Sequence, residues 1–325
     1  CFISKCLAEC LPQDTDRIRS THAPLRPKLM TENNSDVLSR SENPLGLEGV
    51  EFVEYATAQP EGLGKTLELM GFAYIARHRS RRVFLYRQGT MTIVVNADHE
   101  MLNGTDLQGD SVTLSGIAFR VADASSAYRH MVDLGAWPIP TRAGAMELNI
   151  PGVHGVGDSV IYLVDRHRDF SIFDVDFVFD TQVSSQPPAL AGMHFFGLVQ
   201  YVGAGRMEEW IDFYDQLLGF TPLPQGESFG ILTRGSLLKS PCNQFYLQLF
   251  GPPEDVSYDI EWDESLARLG IGTPDVHAAV AQLQARGVTF EEGGLIKVTD
   301  KGALTRMFPG KVHFELVASR IGAAS

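Results

Sequence analysis

The chain has 325 residues, 44% of them hydrophobic, a formal net charge of −13 and a pI near 5.1. That length can bury two ordinary cores. The acidic balance excludes a duplex or tRNA partner, which needs a concentrated basic face, and no apolar run reaches the roughly 18 residues that span a membrane.

In chain order, the first stretch, "CFISKCLAECLPQDTDRIRSTHAPLRPKLM", lacks both apolar periodicity and a secretory core. Cys1, Cys6 and Cys10 crowd it at a spacing that matches no zinc pattern. Residues 1–41 read as a disordered or non-native leader, with an ordinary start at Met30. Only Cys242 lies in the body, which suggests a reducing, cytoplasmic setting.

Beyond the leader, a strand-then-helix unit recurs four times. The strands are "VEFVEYAT" from Val50, "SGIAFRVAD" from Ser115, "FFGLVQYVG" from Phe195 and "LARLGIGTPD" from Leu266. Each precedes a helix-period segment that stops at Gly71, Gly135, Gly219 or Gly287, where glycine can take the left-handed conformation of a helix C-terminus. The units close with "MTIVVN", "SVIYLVD", "FYLQLF" and "VHFELV", short β-rich segments joined by tight turns. The expected fold class is α+β, with four βαβββ modules paired into two domains of curved, mostly antiparallel mixed sheet. Residues 42–180 form the first domain and 193–320 the second. The linker, 181–192, lies in the Ser-, Pro- and Gln-rich seam "DTQVSSQPPALAG". The single basic run, "RHRSRR" (Arg77 to Arg82), reads as a solvated hairpin.

The stretches "ENPLGLEGVEFVEYA", "LELMGFAYIARHRSRRVFLYRQGTMTIVVN", "MELNIPGVHGVGDSVIYLVDR" and "GRMEEWIDFYDQLLGF" resemble 4-hydroxyphenylpyruvate dioxygenase, of the vicinal-oxygen-chelate superfamily. The resemblance covers Glu42 to Ala318 and weakens toward the end. It implies two vicinal-oxygen-chelate domains, with the active site in the second. It also implies Fe(II) held by two histidines and a glutamate, a small aromatic keto acid as substrate in tyrosine catabolism, and self-association. No nucleic-acid or membrane partner is implied.

Carried over position by position, Glu315 in "VHFELVAS" takes the glutamate place on the last strand. In the fourth module the histidine place holds Arg268, a donor that cannot bind a metal but can pair with a carboxylate. In the third module an ungapped match of "GRMEEWIDFY" puts Gly197 in the histidine place. A small turn insertion before Gly205 puts His194 there instead, and both registers stand on the sequence. On the first, Gly197→His with Arg268→His would complete the triad with Glu315. On the second, His194, Glu315 and His313, two residues before Glu315 on the same strand face, form the candidate metal set. Gln248 lies pseudo-symmetric with Glu315. Phe250 and Arg306 replace an asparagine and a glutamine of the family site. The helix that gates the family's pocket is not found before Ser325, so the cavity is expected to lie open.

Three functions follow. The first is a degenerate, metal-free relative that binds an aryl keto acid or related aromatic acid, with Arg268 pairing Glu315 or taking the ligand's carboxylate. The second is an active Fe(II) dioxygenase using His194. The third is a non-oxidative lyase or isomerase with Gln248 and Glu315 as its acid–base pair. His277 is expected to face solvent and Cys242 to lie in a turn.

Overall fold

The computed structural model describes residues 42–98, 109–140, 143, 147–168, 170–224, 226–231, 235–252, 263–293 and 296–320. The leader with Cys1, Cys6 and Cys10 lies outside them. Among the described residues, fifteen strands make two mixed sheets. The first holds β1 (Leu47–Thr57), β2 (Ala73–His78), β3 (Val83–Gln88), β4 (Met91–Asn96), β5 (Val112–Val121), β6 (Gly152–His154), β7 (Val160–Val164) and β8 (Phe177–Phe179), in the order β6-β7-β5-β1-β4-β3-β2-β8. The second holds β9 (His194–Tyr201), β10 (Thr221–Pro222), β11 (Ser236–Lys239), β12 (Tyr246–Phe250), β13 (Ser265–Thr273), β14 (Gly302–Leu304) and β15 (Phe314–Ala318), in the order β10-β11-β12-β9-β13-β15-β14.

The fourfold repeat is visible in the register. In every module the first strand pairs in parallel with the last: Val53 with Ile93, Ile117 with Ile161, Leu198 with Leu247, and Ile271 with Leu316. First strands of neighbouring modules then pair antiparallel at the middle of each sheet, Val53 against Ile117 and Leu198 against Leu269. The expected three strands after each helix are complete in modules one and three. In modules two and four the first of them shrinks to one bridge, Pro138 with Val153 and Phe290 with Thr305. Pro138 and Pro140 explain the second module, because proline offers no N–H to a ladder.

The modules' helices are α1 (Pro60–Leu69), α2 (Ala124–Asp133), α4 (Met207–Leu218) and α5 (Val276–Ala285); a short α3 (Phe173–Asp176) precedes β8. Asp123 and Asp275 cap α2 and α5 by accepting from Ser126 N at 2.6 Å and Ala278 N at 2.9 Å. The four glycine stops are all left-handed, with φ of 93°, 96°, 74° and 99° in chain order. Gly219 is the most confined, since a Cβ there would lie 2.6 Å from Pro44 Cδ. Gly219→Ala is therefore expected to cost at least about 1–2 kcal/mol. Thermal unfolding measures this, and an unchanged midpoint would contradict the left-handed stop.

One core runs between the sheets, where Phe119 meets Phe220 and Phe245 at ring-centroid distances of 6.0 and 5.9 Å. A second apolar cluster, including Phe52, Val94, Ile172 and Phe173, lines the other face of the first sheet. The seam 181–192 carries no strand and is pinned to the β3–β4 turn. Gly89 N donates to Pro187 O at 2.8 Å and Leu190 N to Gln88 Oε1 at 2.9 Å. The basic run does form the β2–β3 hairpin, but Arg81 turns back to meet Glu147, with Nη2 2.6 Å from Oε2.

Candidate functional site

The second sheet brings Arg268, His313 and Glu315 together. Parallel pairing of β13 with β15 sets Gly270 beside Glu315. Arg268 Nη2 lies 3.0 Å from Glu315 Oε2, and both side chains are 4% exposed. Glu315 Oε1 accepts from Ile231 N at 3.0 Å. The ion pair is close but badly aligned, for Arg268 Nε and Nη2 have no well-directed acceptor. Arg268 Nη1 sits 3.4 Å from His313 Nε2. Since a guanidinium only donates, Nε2 must accept and the ring is neutral. Burial first, and the Arg268 charge second, hold the His313 pKa below its ordinary value.

Gln248 and Glu315 border one small cavity of about 30 Å³, together with Gly197, Val199, Phe229 and Tyr246. Aromatic rings crowd this cavity. Tyr246 stacks on Phe196 at 5.0 Å and meets Phe229 at 4.7 Å. Gly197 lies between Gly270 and Tyr246 in the sheet, and a Cβ on it would collide with the Tyr246 carbonyl oxygen. His194 does not join the group. It pairs with Gly272, and its Nδ1 and Nε2 sit 3.0 Å from Gly192 O and Ser319 Oγ. Burial lowers its pKa. Among the described residues no three His, Cys, Asp or Glu side chains converge as a metal site. Of Gly197, Arg268 and Glu315, only the Glu315 carboxylate has a lone pair for a metal, and it faces the Arg268 guanidinium.

The remaining positions are peripheral. Arg306 is exposed. His277, also exposed, sits 2.8 Å from Asp300 Oδ1. Cys242 lies in a turn, with Sγ 3.2 Å from Ser240 Oγ.

A larger cavity, about 510 Å³, opens in the first sheet. At its floor is Glu54, which the sequence reading did not single out. Its Oε1 accepts from Ser115 Oγ at 3.0 Å and Asn96 Nδ2 at 3.3 Å, and its Oε2 from Tyr162 OH at 3.3 Å. Burial raises the Glu54 pKa against those three bonds. The available signal was a carboxylate amid the apolar run of "VEFVEYAT".

Paired βαβββ modules forming two glyoxalase-type domains define a vicinal-oxygen-chelate protein. Residues 41–178 match the family described as hydroxyphenylpyruvate dioxygenase, N-terminal, and residues 194–297 match the glyoxalase/bleomycin resistance protein/dioxygenase superfamily. The chain belongs to the 4-hydroxyphenylpyruvate dioxygenase family. It is 32% identical to the 4-hydroxyphenylpyruvate dioxygenase of Pseudomonas sp. (strain P.J. 874), over 85% of this chain and 90% of that one. It is 34% identical to hemolysin VllY of Vibrio vulnificus, over 76% of this chain and 73% of that protein. Among solved structures, a xylose isomerase-like TIM barrel/4-hydroxyphenylpyruvate dioxygenase fusion protein shares the fold. Its TM-score is 0.66 at 23% identity, over 85% of this chain and 50% of the fusion.

Proposed function

We propose that this chain is a degenerate member of the dioxygenase family, in which an Arg268–Glu315 pair stands where relatives hold iron. The ion pair at 3.0 Å carries the reading. It satisfies the carboxylate with a permanent cation and leaves no lone pair of Arg268 for a metal. The family's ligand, a small aromatic keto acid or aromatic acid, would meet the guanidinium through Nε and Nη2, the two donors without an aligned acceptor. A cavity of about 30 Å³ admits no aromatic ring, so such binding requires the Tyr246 and Phe229 rings to part. We place the domain seam at 181–192, between the two matched segments. The lone body cysteine supports a cytoplasmic setting. Among the described residues no helix is long and apolar enough to cross a membrane.

The test is iron content after anaerobic purification with added Fe(II), together with oxygen uptake on 4-hydroxyphenylpyruvate. The expected result is far less than one iron per chain and no uptake above the protein-free rate. Stoichiometric iron, with uptake that disappears in Glu315→Ala, would establish the active dioxygenase instead.

A further inference from the structure

We propose that the chamber of the first sheet is a ligand site for a small planar ring carrying a hydrogen-bond donor, hydroxyl or ammonium, which it presents to Glu54. The inference does not rest on the reading of the second sheet. At about 510 Å³ the chamber lies in the range of small-molecule sites. It reaches the surface between exposed Ser125 and Arg129 on α2 and the segment around Asn149.

Its walls suit a flat, largely apolar body. Phe52 lies 5.6 Å from Tyr162 and 6.0 Å from Phe173, and Phe173 lies 5.5 Å from Phe177, all as tilted or edge-on rings. Val83, Val94, Ile150 and Ile172 add to the apolar lining. Such faces favour stacked or edge-on aromatic contacts, and favour cations over anions.

Its floor suits a donor. An ionised carboxylate has about four acceptor positions, and Ser115, Asn96 and Tyr162 use three of them. The unused one belongs to Oε2, which has a single protein bond at 3.3 Å. Burial disfavours the charged carboxylate, and a ligand O–H or N–H at that position offsets this by stabilising the charged form through a charge-assisted bond. Of the lining cations, Arg81 is already clasped by Glu147 at 2.6 Å. The lining carboxylates Glu54, Glu147 and Asp176 outnumber the arginines Arg81 and Arg129, which disfavours an anionic ring.

Calorimetric or saturation-transfer titration of the full chain with phenol, benzylamine, toluene and benzoate tests this. Phenol or benzylamine is expected to bind about tenfold or more tightly than toluene, with benzoate weakest once Arg268→Leu with Glu315→Leu has removed the second-sheet guanidinium. Which of the two binds tells hydroxyl from ammonium. Glu54→Gln keeps the size of the side chain but replaces an acceptor with a donor, and should weaken the bound probe about tenfold. Val94→Phe, beside Glu54 in the β1–β4 ladder, fills the chamber and should abolish binding. Arg268→Leu with Glu315→Leu in the second sheet should leave it unchanged. The proposal is overturned if neither donor probe binds or if toluene binds as tightly as the tighter of the two. It is equally overturned if Glu54→Gln has no effect or if the second-sheet change removes binding.

Discussion

Glu315→Ala is expected to lower the free energy of unfolding by about 3–5 kcal/mol, because it leaves a guanidinium buried without its counter-ion. The Arg268 side chain is 4% exposed, so water cannot take over the missing partner. The change also strips Ile231 N of its acceptor. The paired change Arg268→Leu with Glu315→Leu removes both charges and should cost far less than the single one, since apolar replacement of a buried pair is often neutral or better. Urea unfolding of the three proteins measures the contrast. A loss under about 1 kcal/mol in Glu315→Ala would mean that the pair is solvated in solution.

The double variant Gly197→His with Arg268→His is expected not to hold iron, although on paper it restores two histidines beside Glu315. The obstacle is backbone, not chemistry. Gly197 sits against β12, and any Cβ there collides with the Tyr246 carbonyl oxygen, which the parallel ladder holds in place. Inserting an imidazole must push β12 aside, at a cost of about 3 kcal/mol, near the upper end for overpacking. The packing at Gly197 therefore opposes the sequence-based expectation that the two changes complete a triad. Metal analysis after desalting decides it, with one iron per chain showing that β12 yields. Chemical denaturation of the same variant gives the cost.

Sequence and structure agree most closely where the signal is local. A glycine stop, an aspartate cap and a β-rich closing segment each act within a few residues, so Gly71, Gly135, Gly219 and Gly287 mark their helices without tertiary help. The Arg268–Glu315 contact was also legible, because the family resemblance puts the two residues at opposed places of one site. The Glu54 chamber was not. Its partners Asn96, Ser115 and Tyr162 lie 42, 61 and 108 residues away along the chain, and only the sheet brings them together. The filling of the second cavity was hidden for the same reason, since it depends on how the Phe196, Phe229 and Tyr246 rings settle against one another.

The sheet topology also bears on how the chain is made. Every strand from β1 to β8 finds its partners before Leu190, and among the described residues no strand pairs into the other sheet. The first half can thus close its hydrogen-bonded ladders while the second is still on the ribosome. It cannot close its core so early, because Phe119 packs on Phe220 and Phe245, which arrive later. Until then that face of the first sheet presents apolar surface to water. That interval, more than any step within either sheet, is where the nascent protein is open to aggregation or to capture by a chaperone.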